Sequence, residues 1–286
     1  MGILPQLILN SIIAGAIYTM IALGFNLIYS TVKFFDLSYG VMMAIGGYGV
    51  YWLYKIIGLN LGLSVVLAIL LAGLVGYLAD YFVYRPLRRR KASTMVLLVA
   101  SLGIFTALQA VIAILFSSQF QTLSAGEGKI YEVIGGAITG VQLVILASGL
   151  LIMLALAFFL NRTRFGRAIK AVGDDEEVAR VVGINTDKII SFVFFLSAAI
   201  GGLAGVLVGF DTGIEPTMGL NLLLKGVIAA IVGGIGNIYG GVLGAFLLGT
   251  VENFGIWQIS GEWKDAIAFA LLIVFLIFRP QGLFKR

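Results

Sequence analysis

The feature that most constrains this chain is a series of nine apolar runs, most of them long enough to cross a lipid bilayer. They cover residues 7–30, 37–57, 60–84, 94–116, 138–160, 189–210, 222–235, 240–257 and 265–279. Inside hydrocarbon, backbone N–H and C=O groups must be satisfied within the chain, and segments of about 20 residues achieve this as helices. Only 12% of the residues are charged, against about 25% in soluble domains. We therefore predict an all-α polytopic membrane protein of about eight to nine transmembrane helices, with residues 1–286 forming a single transmembrane domain.

Two of these runs are short and lie close together. Residues 222–235 and 240–257 are separated only by the sequence GNIY at 236–239. This pair fits two short spans, one broken helix or a re-entrant element. The sequence therefore predicts that some of the spans are short or broken.

The basic residues predict how the chain is oriented. Most Lys and Arg residues lie in 85–91, in 162–188 or at the C-terminal end from residue 279 onward. An even number of predicted spans separates each of these clusters from the next, so all three can face one side. Because loops rich in Lys and Arg remain in the cytoplasm, we expect residues 85–93, 161–188 and the C-terminus there. The N-terminus and residues 117–137 are then expected outside.

The residue types exclude most catalytic chemistry. Cysteine and histidine are both absent, which removes disulfides, thiolate chemistry, the commonest metal ligand and the usual general base. The chain has no phosphate-binding GxxxxGK[ST] sequence and no HExxH, CxxC or GxSxG sequence. We therefore expect no enzyme activity, no catalytic residues, no cofactor and no metal site. No basic stretch alternates with aromatic residues in the manner of a nucleic-acid site, so nucleic acid is not an expected partner.

A polar segment at 161–188 lies between two apolar runs and is dense in charge. Its pattern predicts two short helices. The first covers 164–172, with an apolar side formed by Phe165, Ala168, Ile169 and Val172. The second covers 174–182, with Asp174 as its N-cap and Gly183 ending it; its apolar stripe is Val178, Ala179 and Val182. Such helices either dock on a cytosolic partner or lie on the lipid headgroups.

Glycine and polar residues inside the apolar runs indicate a candidate path for a solute. Glycines recur at four-residue spacing, as at 201, 205 and 209, which lets helix backbones approach closely. Two segments, 36–49 and 233–241, combine glycine with polar or aromatic groups, a pattern typical of broken helices around a translocation path. An Asp that opens a helix is also a common N-cap, so Asp36 has two interpretations. The candidate path residues are Asn10, Tyr18, Asn26, Asp36, Ser38, Tyr39, Gly40, Gly234, Gly236 and Asn237. Lys225 and Glu252 are expected either to pair or to reach the membrane surface.

Several segments, taken in order and spacing, resemble the inner-membrane permeases of branched-chain amino-acid ABC importers of the LivH type. They include YRPLR at 84–88, GRAIKAV at 166–172 and RPQGLF at 279–284, and the resemblance covers nearly the whole chain. The other matching segments are 10–24, 27–29, 179–180, 183–185, 225–226, 233–236 and 240–241. One segment departs from the family pattern: where the family has a string like Asn-Phe-Ala-His-Gly, residues 35–40 read FDLSYG. That form is similar to related sugar permeases.

The resemblance implies a working assembly in a bacterial or archaeal plasma (inner) membrane. Two cytosolic ATP-binding subunits, a second permease in a homo- or heterodimer and an extracytoplasmic substrate-binding protein would complete it within the membrane lipid. It also implies that residues 161–188 form a cytoplasmic coupling loop on which the ATP-binding subunits dock. The coupling residues expected from it are Arg164, Gly166, Arg167, Ala168, Val172, Glu176, Val178, Ala179, Arg180, Val182 and Gly183.

Other functions stay open from the sequence. Within the same class, the solute could instead be a sugar, a nucleoside or a urea-like molecule. A secondary transporter or channel that needs no ATP would be favoured by buried relays of Asp, Glu and His, but deep acids are few and histidine is absent. A membrane-embedded enzyme or structural subunit would be favoured by an intramembrane catalytic cluster, and none is visible in the sequence.

Overall fold

The protein is described by a computed structural model over residues 2–123, 129–133, 135–257, 259–279 and 281–284, and most of these residues are helical. The first helices are α1 (Ile3–Val32), α2 (Ser38–Val50), α3 (Leu61–Ala79), α4 (Arg85–Arg89) and α5 (Thr94–Phe116). They are followed by α6 (Gly140–Arg162), α7 (Arg164–Asp174), α8 (Glu176–Val181) and α9 (Thr186–Asp211). The last are α10 (Met218–Gly233), α11 (Ile238–Gly255) and α12 (Lys264–Phe278). Short π-helical segments, Tyr51–Ile56 and Asp80–Tyr84, extend α2 and α3.

Each of the nine predicted apolar runs is found as helix, which confirms the all-α polytopic class. Five helical stretches in the described chain are long and apolar enough to span a membrane: α1, Leu61–Arg89, α5, α6 and α9. The pair α10 and α11 adds a sixth if it counts as one span. The helices α2 and α12 are shorter, with 13 and 15 residues, so the count of eight to nine crossings remains a prediction.

The pair α10 and α11 is bent by 116° at its break. A bend of this size fits a broken span or a re-entrant loop, two of the arrangements that the sequence left open. Asn237 caps α11, since its side-chain oxygen accepts a hydrogen bond from the N–H of Gly240 at 3.1 Å. The GNIY sequence between the two apolar runs therefore contains the cap of the second helix.

A small antiparallel hairpin, which the sequence did not predict, precedes α6. Strand β1 (Ile130–Val133) pairs with β2 (Gly136–Thr139), with Ile130 opposite Thr139. Gly135 has a φ of +80° at the turn, a conformation that glycine adopts without a steric penalty. The side chain of Gln6 holds β2 through two hydrogen bonds to Ala137, at 2.8 and 3.1 Å.

The chain divides into two compact units. The first consists of Met1–Asn26, Ser124–Met153 and Leu224–Arg286, and the second of Leu27–Leu123 and Leu154–Leu223. Within the second unit, α2, α3 and α9 pack tightly through small residues. A Cβ added to Gly205 would overlap the carbonyl oxygen of Met43, and one added to Gly202 would lie 2.6 Å from the Cβ of Ala72. Spaced glycines on α9 thus permit the close helix packing that the sequence predicted.

Burial differs among the long helices. About two thirds or more of the most apolar stretch is buried in α1 (67%) and α9 (72%), but only 22% in α5 and in α6. Large apolar side chains of α5 and α6, such as Ile114 and Leu151, are more than half exposed. Since lipid tails are as apolar as these side chains, such helices are suited to contact lipid directly.

Candidate functional site

The helix α7 is held against the rest of the second unit by its cap and by two glycines. The hydroxyl of Thr163 accepts a hydrogen bond from the N–H of Gly166 at 2.9 Å. A Cβ on Gly166 would overlap the carbonyl oxygen of Phe159, and one on Gly173 would lie 2.6 Å from the carbonyl oxygen of Ser30. The predicted helix 164–172 is confirmed and continues to Asp174.

The cap of α8 differs from the prediction by one residue. Asp175, with an extended backbone, accepts hydrogen bonds from the N–H groups of Glu177 at 2.8 Å and Val178 at 3.0 Å. Asp174, the predicted cap, is instead the last residue of α7. An N-cap must leave the helical conformation while its side chain turns back to the first turn, and in this segment only the residue after α7 ends can do so. The prediction of Asp174 was wrong for that reason.

The end of α8 confirms the prediction for Gly183. Its φ is +88°, in the left-handed region that a side chain with a Cβ disfavours. Its N–H donates to the carbonyl of Arg180 at 3.1 Å, and the N–H of Ile184 donates to that of Ala179 at 3.0 Å. These two bonds form a Schellman motif, which satisfies the last carbonyls of the helix.

The exposed apolar face of α8 is not the predicted one. Val178, Val181 and Val182 are 58, 86 and 69% exposed, whereas Ala179 is 2% exposed. The predicted stripe contained Ala179, but this residue faces the protein because α8 packs on α9. Val181 was missed, although the i, i+3, i+4 spacing of the three valines is the usual signal of one helix face. We call Val178, Val181 and Val182 the valine face.

The apolar side predicted for α7 is also divided. Ile169 and Val172 are buried, at 2% each, while Phe165 is 59% exposed, with its ring 5.9 Å from that of Phe192. Arg164 and Arg167 are exposed on the same helix. The surface presented by α7 therefore combines an aromatic ring with two positive charges.

Polar contacts tie α8 to the start of α9. One carboxylate oxygen of Glu176 accepts from Arg180 at 2.8 Å and from the hydroxyl of Thr186 at 3.2 Å. The neighbouring helix α4 is tied to the same place, since Arg85 and Arg89 lie 3.0 and 2.9 Å from Asp187. A cavity of about 700 Å³ lies between these elements, lined by residues that include Arg88, Arg180 and Asn185. Thr186 and Asp187 were not singled out by the sequence, because their partners are distant in the chain.

A second set of predicted residues meets at the break between α10 and α11. The side-chain oxygen of Asn26 accepts from the N–H of Gly236 at 3.0 Å, and its nitrogen donates to the carbonyl of Asn237 at 3.3 Å. Three of the predicted path residues are thus brought together. Asn26 satisfies backbone groups that the break leaves without helical partners, which an interior polar side chain can do in lipid.

Leu283 and Phe284, which end the RPQGLF sequence, contact the end of α10. The N–H groups of Leu283 and Phe284 donate to the carbonyls of Val232 and Gly233 at 2.9 and 3.1 Å. A Cβ on Gly234 would overlap the carbonyl oxygen of Phe284. Gly234 therefore serves close backbone packing, and the segment satisfies the last carbonyls of a helix that ends at a break.

An ionic cluster around the buried Glu252 joins α1, α10, α11 and α12, with the α12 member, Asp265, 65% exposed. The ammonium of Lys225 lies 2.8 Å from both Glu252 and Asp265, and the hydroxyl of Tyr18 donates to Glu252 at 2.6 Å. The side chain of Glu252 is fully buried. The pairing of Lys225 with Glu252, one of two outcomes expected from the sequence, is the one found. Tyr18 belongs to this cluster, and Asn10 accepts a hydrogen bond from Gln6 at 3.0 Å.

The remaining predicted path residues lie in the second unit. Asp36 accepts hydrogen bonds from the N–H and hydroxyl of Ser38, at 2.9 and 2.6 Å, and from the hydroxyl of Tyr84 at 2.8 Å. It binds the first N–H of α2 although Leu37, not Asp36, occupies the cap position. Gly40 packs on Gly219, whose carbonyl would lie 2.9 Å from an added Cβ. Among the described residues, the hydroxyl of Tyr39 is buried without a hydrogen-bond partner.

No group of three or more Asp or Glu residues in the described parts of the chain is arranged to hold a metal ion. The buried carboxylates are instead bonded to lysine, arginine, tyrosine and serine side chains, as with Glu252, Asp80 and Asp36. In these clusters, hydrogen bonds and ion pairs hold the carboxylates in position.

Comparison with known proteins identifies a family. Residues 7–276 match the sequence model of a family described as the permease component of the branched-chain amino acid transport system. The chain is 32% identical to the high-affinity branched-chain amino acid transport system permease protein BraD of Pseudomonas aeruginosa, covering 98% of this chain and 95% of the relative. The same identity and coverage hold for the permease protein LivH of Escherichia coli K12.

A solved structure shares the fold. The structure described as PsaBC from Streptococcus pneumoniae in complex with Fab aligns with a TM-score of 0.55 and 13% identity. The alignment covers 95% of this chain and 91% of that one. With a family match over almost its whole length and two relatives at 32% identity, the chain belongs to the permease family of branched-chain amino acid transport systems.

Proposed function

We propose that the chain is the transmembrane subunit of an ABC importer that passes a branched-chain or closely related amino acid inward. The observation that carries this proposal is the 32% identity over 98% of the chain to permeases named for high-affinity branched-chain amino acid transport. The family consists of transport permease components, so the protein acts by moving a solute and not by chemical catalysis. Residues 1–286 work as one permease domain, with residues 161–188 as the coupling loop within it.

The energy comes from two separate cytosolic ATP-binding subunits. The chain has no phosphate-binding loop, so the work of ATP hydrolysis has to enter through a surface that another protein can contact. The valine face of α8 is suited to this, because three adjacent apolar side chains are 58 to 86% exposed on a helix outside every apolar run. Exposed Phe165, Arg164 and Arg167 on α7 extend this surface.

The orientation follows from this coupling. The excess of Lys and Arg in 85–93, 161–188 and at the C-terminus supports a cytoplasmic location for these segments in a bacterial or archaeal cell, with the N-terminus outside. A second permease, identical or different, lines the pore together with this chain, and an extracytoplasmic substrate-binding protein delivers the solute. ATP-driven movement of the bound subunits shifts α7 and α8 and changes the side to which the path opens.

The structure favours different roles among the candidate path residues. Asn26, Tyr18 and Asp36 already make interior hydrogen bonds, so their contribution is to position the broken helices and the start of α2. Tyr39 is the candidate for direct contact with solute, since its hydroxyl is free of partners among the described residues. A free buried hydroxyl is unfavourable unless something binds it.

Deletion and complementation in the native host test the proposal. Loss of the gene should abolish high-affinity uptake of radiolabelled leucine, and the wild-type gene should restore it, with uptake dependent on ATP. Excess unlabelled valine should compete for uptake, and ribose should not. Unchanged leucine uptake together with lost ribose uptake would assign the chain to a sugar importer instead.

A further inference from the structure

A pocket of about 600 Å³ lies where the stretch Leu61–Arg89 ends. It is lined by Tyr81, Phe82, Arg85, Pro86, Arg89 and Arg90, from the π-helical segment Asp80–Tyr84 and from α4. Leu61–Arg89 is apolar and long enough to span a membrane, so a pocket at the end of this stretch is expected near the membrane surface. Neither the valine face nor the buried clusters include any of its aromatic residues.

The aromatic part of the pocket is open to its surroundings. Tyr81 is 44% exposed and Phe82 is 68% exposed. Their rings lie edge to face, with centroids 5.2 Å apart. Aromatic rings at the end of a span typically lie at the level of the lipid headgroups, with their apolar bodies against acyl chains. The aromatic part of the pocket is therefore suited to the upper part of a lipid tail.

The arginines that line the pocket carry more positive charge than the nearby carboxylate balances. Arg85 and Arg89 share a single carboxylate, that of Asp187, and Arg90 forms no ion pair with any residue that the structure describes. The guanidinium of Arg85 lies 5.6 Å above the ring of Tyr81. Its Nε atom is buried and lacks a hydrogen-bond partner in the described parts of the chain. Three arginines facing one carboxylate leave unused hydrogen-bond donors and an uncompensated charge.

We propose that this pocket binds the phosphate headgroup of an anionic phospholipid. Guanidinium groups are the side chains best matched to phosphate, because their planar donors can hold two oxygens at once. Basic pockets at the membrane surface select anionic lipids on the same principle. The exposed rings of Tyr81 and Phe82 favour a lipid over a soluble anion, since a free phosphate has no apolar part to place against them. This site does not depend on which solute the protein transports.

Lipid titration of the purified full-length chain tests the site. Phosphatidylglycerol and phosphatidylcholine are added separately to detergent-solubilised protein, and bound lipid is counted by native mass spectrometry. We expect phosphatidylglycerol to bind more tightly than phosphatidylcholine. Arg90→Gln should weaken the binding of phosphatidylglycerol on the order of fivefold, because one basic residue at a membrane surface contributes about this much to the attraction of anionic lipid. Arg90 makes no ion pair within the described chain, so its loss should leave folding intact, as checked by thermal unfolding.

Two controls complete the test. Arg162→Gln removes the same charge from an exposed position at the end of α6 that does not line the pocket, and it should leave lipid binding unchanged. Phe82→Ala should weaken the binding of phosphatidylglycerol and should not strengthen the binding of phosphatidylcholine. Equal losses from Arg90→Gln and Arg162→Gln, or equal binding of the two lipids, would overturn the proposal. Displacement of the lipid by millimolar inorganic phosphate alone would assign the pocket to a soluble anion and would also contradict it.

Discussion

Two ion pairs of nearly equal length lie in very different surroundings within the second unit. Arg88 lies 2.7 Å from Asp80, whose side chain is fully buried and also accepts a hydrogen bond from Ser191 at 2.6 Å. Arg180 lies 2.8 Å from Glu176 on α8, where the two side chains are 65 and 36% exposed. Water screens the second pair and weakens it, whereas the first cannot lose one partner without leaving a buried charge.

The two pairs differ in how much of their surroundings the chain itself supplies. The buried pair joins α4 and the segment after α3 to α9 through Asp80, which bonds both Arg88 and Ser191, while Nε and Nη2 of Arg88 are buried without a hydrogen-bond partner in the described chain. The exposed pair lies within one helix of six residues, next to a valine face that nothing in the described chain covers. The helix α8 therefore has an exposed apolar face and an exposed ion pair, which is consistent with the docking surface proposed for it.

The largest expected effect on stability comes from the buried pair. Arg88→Met should lower the free energy of unfolding by about 3–5 kcal/mol, because Asp80 then stays buried without its ion-pair partner. Arg180→Met should cost no more than about 0.5 kcal/mol, as for other exposed pairs within a helix. Thermal unfolding in detergent, followed by circular dichroism, measures both. Equal losses of stability in the two variants would show that burial does not make the first ion pair more important than the second.

Glycine packing gives the next largest effect. Gly205→Ala should destabilise the protein by about 1–3 kcal/mol, the usual cost of overpacking, because its Cβ would overlap the carbonyl of Met43. Gly103→Ala on α5 is the matched control, since an added Cβ there meets nothing within 4 Å. That change should be neutral or stabilise by up to about 1 kcal/mol, because alanine is the better helix former. A thermal midpoint for Gly205→Ala equal to that of Gly103→Ala would show that α2 and α9 are not in close contact.

A smaller and local effect is expected at Gly183. Gly183→Val places a β-branched residue at φ +88°, which costs about 1–2 kcal/mol through backbone strain alone. There is open space around the position, so no clash contributes. Gly183→Asn should cost less, because asparagine tolerates the left-handed region. Amide hydrogen exchange of residues 176–181 should be faster in the valine variant and near the wild-type rate in the asparagine variant. Equal exchange rates in the two variants would show that a β-branched residue is not strained at position 183.

The elements that the sequence predicted correctly are those whose signal lies in a short stretch of neighbouring residues. The helix 94–116 agrees with α5 in both bounds, because a long apolar run begins beside a serine that can cap it. Gly183 was predicted to end α8 because a glycine after an apolar stripe is a local signal. The glycines of α9 were likewise visible from their spacing.

The contacts that the sequence missed depend on partners far along the chain. Ala179 was placed on the docking face, but burial against α9 is decided by tertiary packing, and a helix of six residues gives little periodicity from which to predict it. The partners of Asn26, at Gly236 and Asn237, lie more than 200 residues away. The hairpin of β1 and β2 was missed because four-residue strands beside long apolar runs leave a weak signal.

The central claim is that the valine face of α8 docks on the ATP-binding subunits, and Val181 tests it most directly. Ala179→Asp would not, since Ala179 is buried in the chain itself and a charge there would disturb α8 whether or not a partner binds. Val181 is 86% exposed, so Val181→Asp should change the stability of the chain alone by no more than about 0.5 kcal/mol.

The measurement is co-purification of the ATP-binding subunits with the chain, made beside leucine uptake in the same cells. Val181→Asp should lose both together, because an unpaired charge would enter an apolar contact. Val181→Thr, which keeps the shape without adding charge, should retain most of each. If Val181→Asp binds the ATP-binding subunits and takes up leucine at wild-type levels, the valine face is not where ATP hydrolysis is coupled to transport.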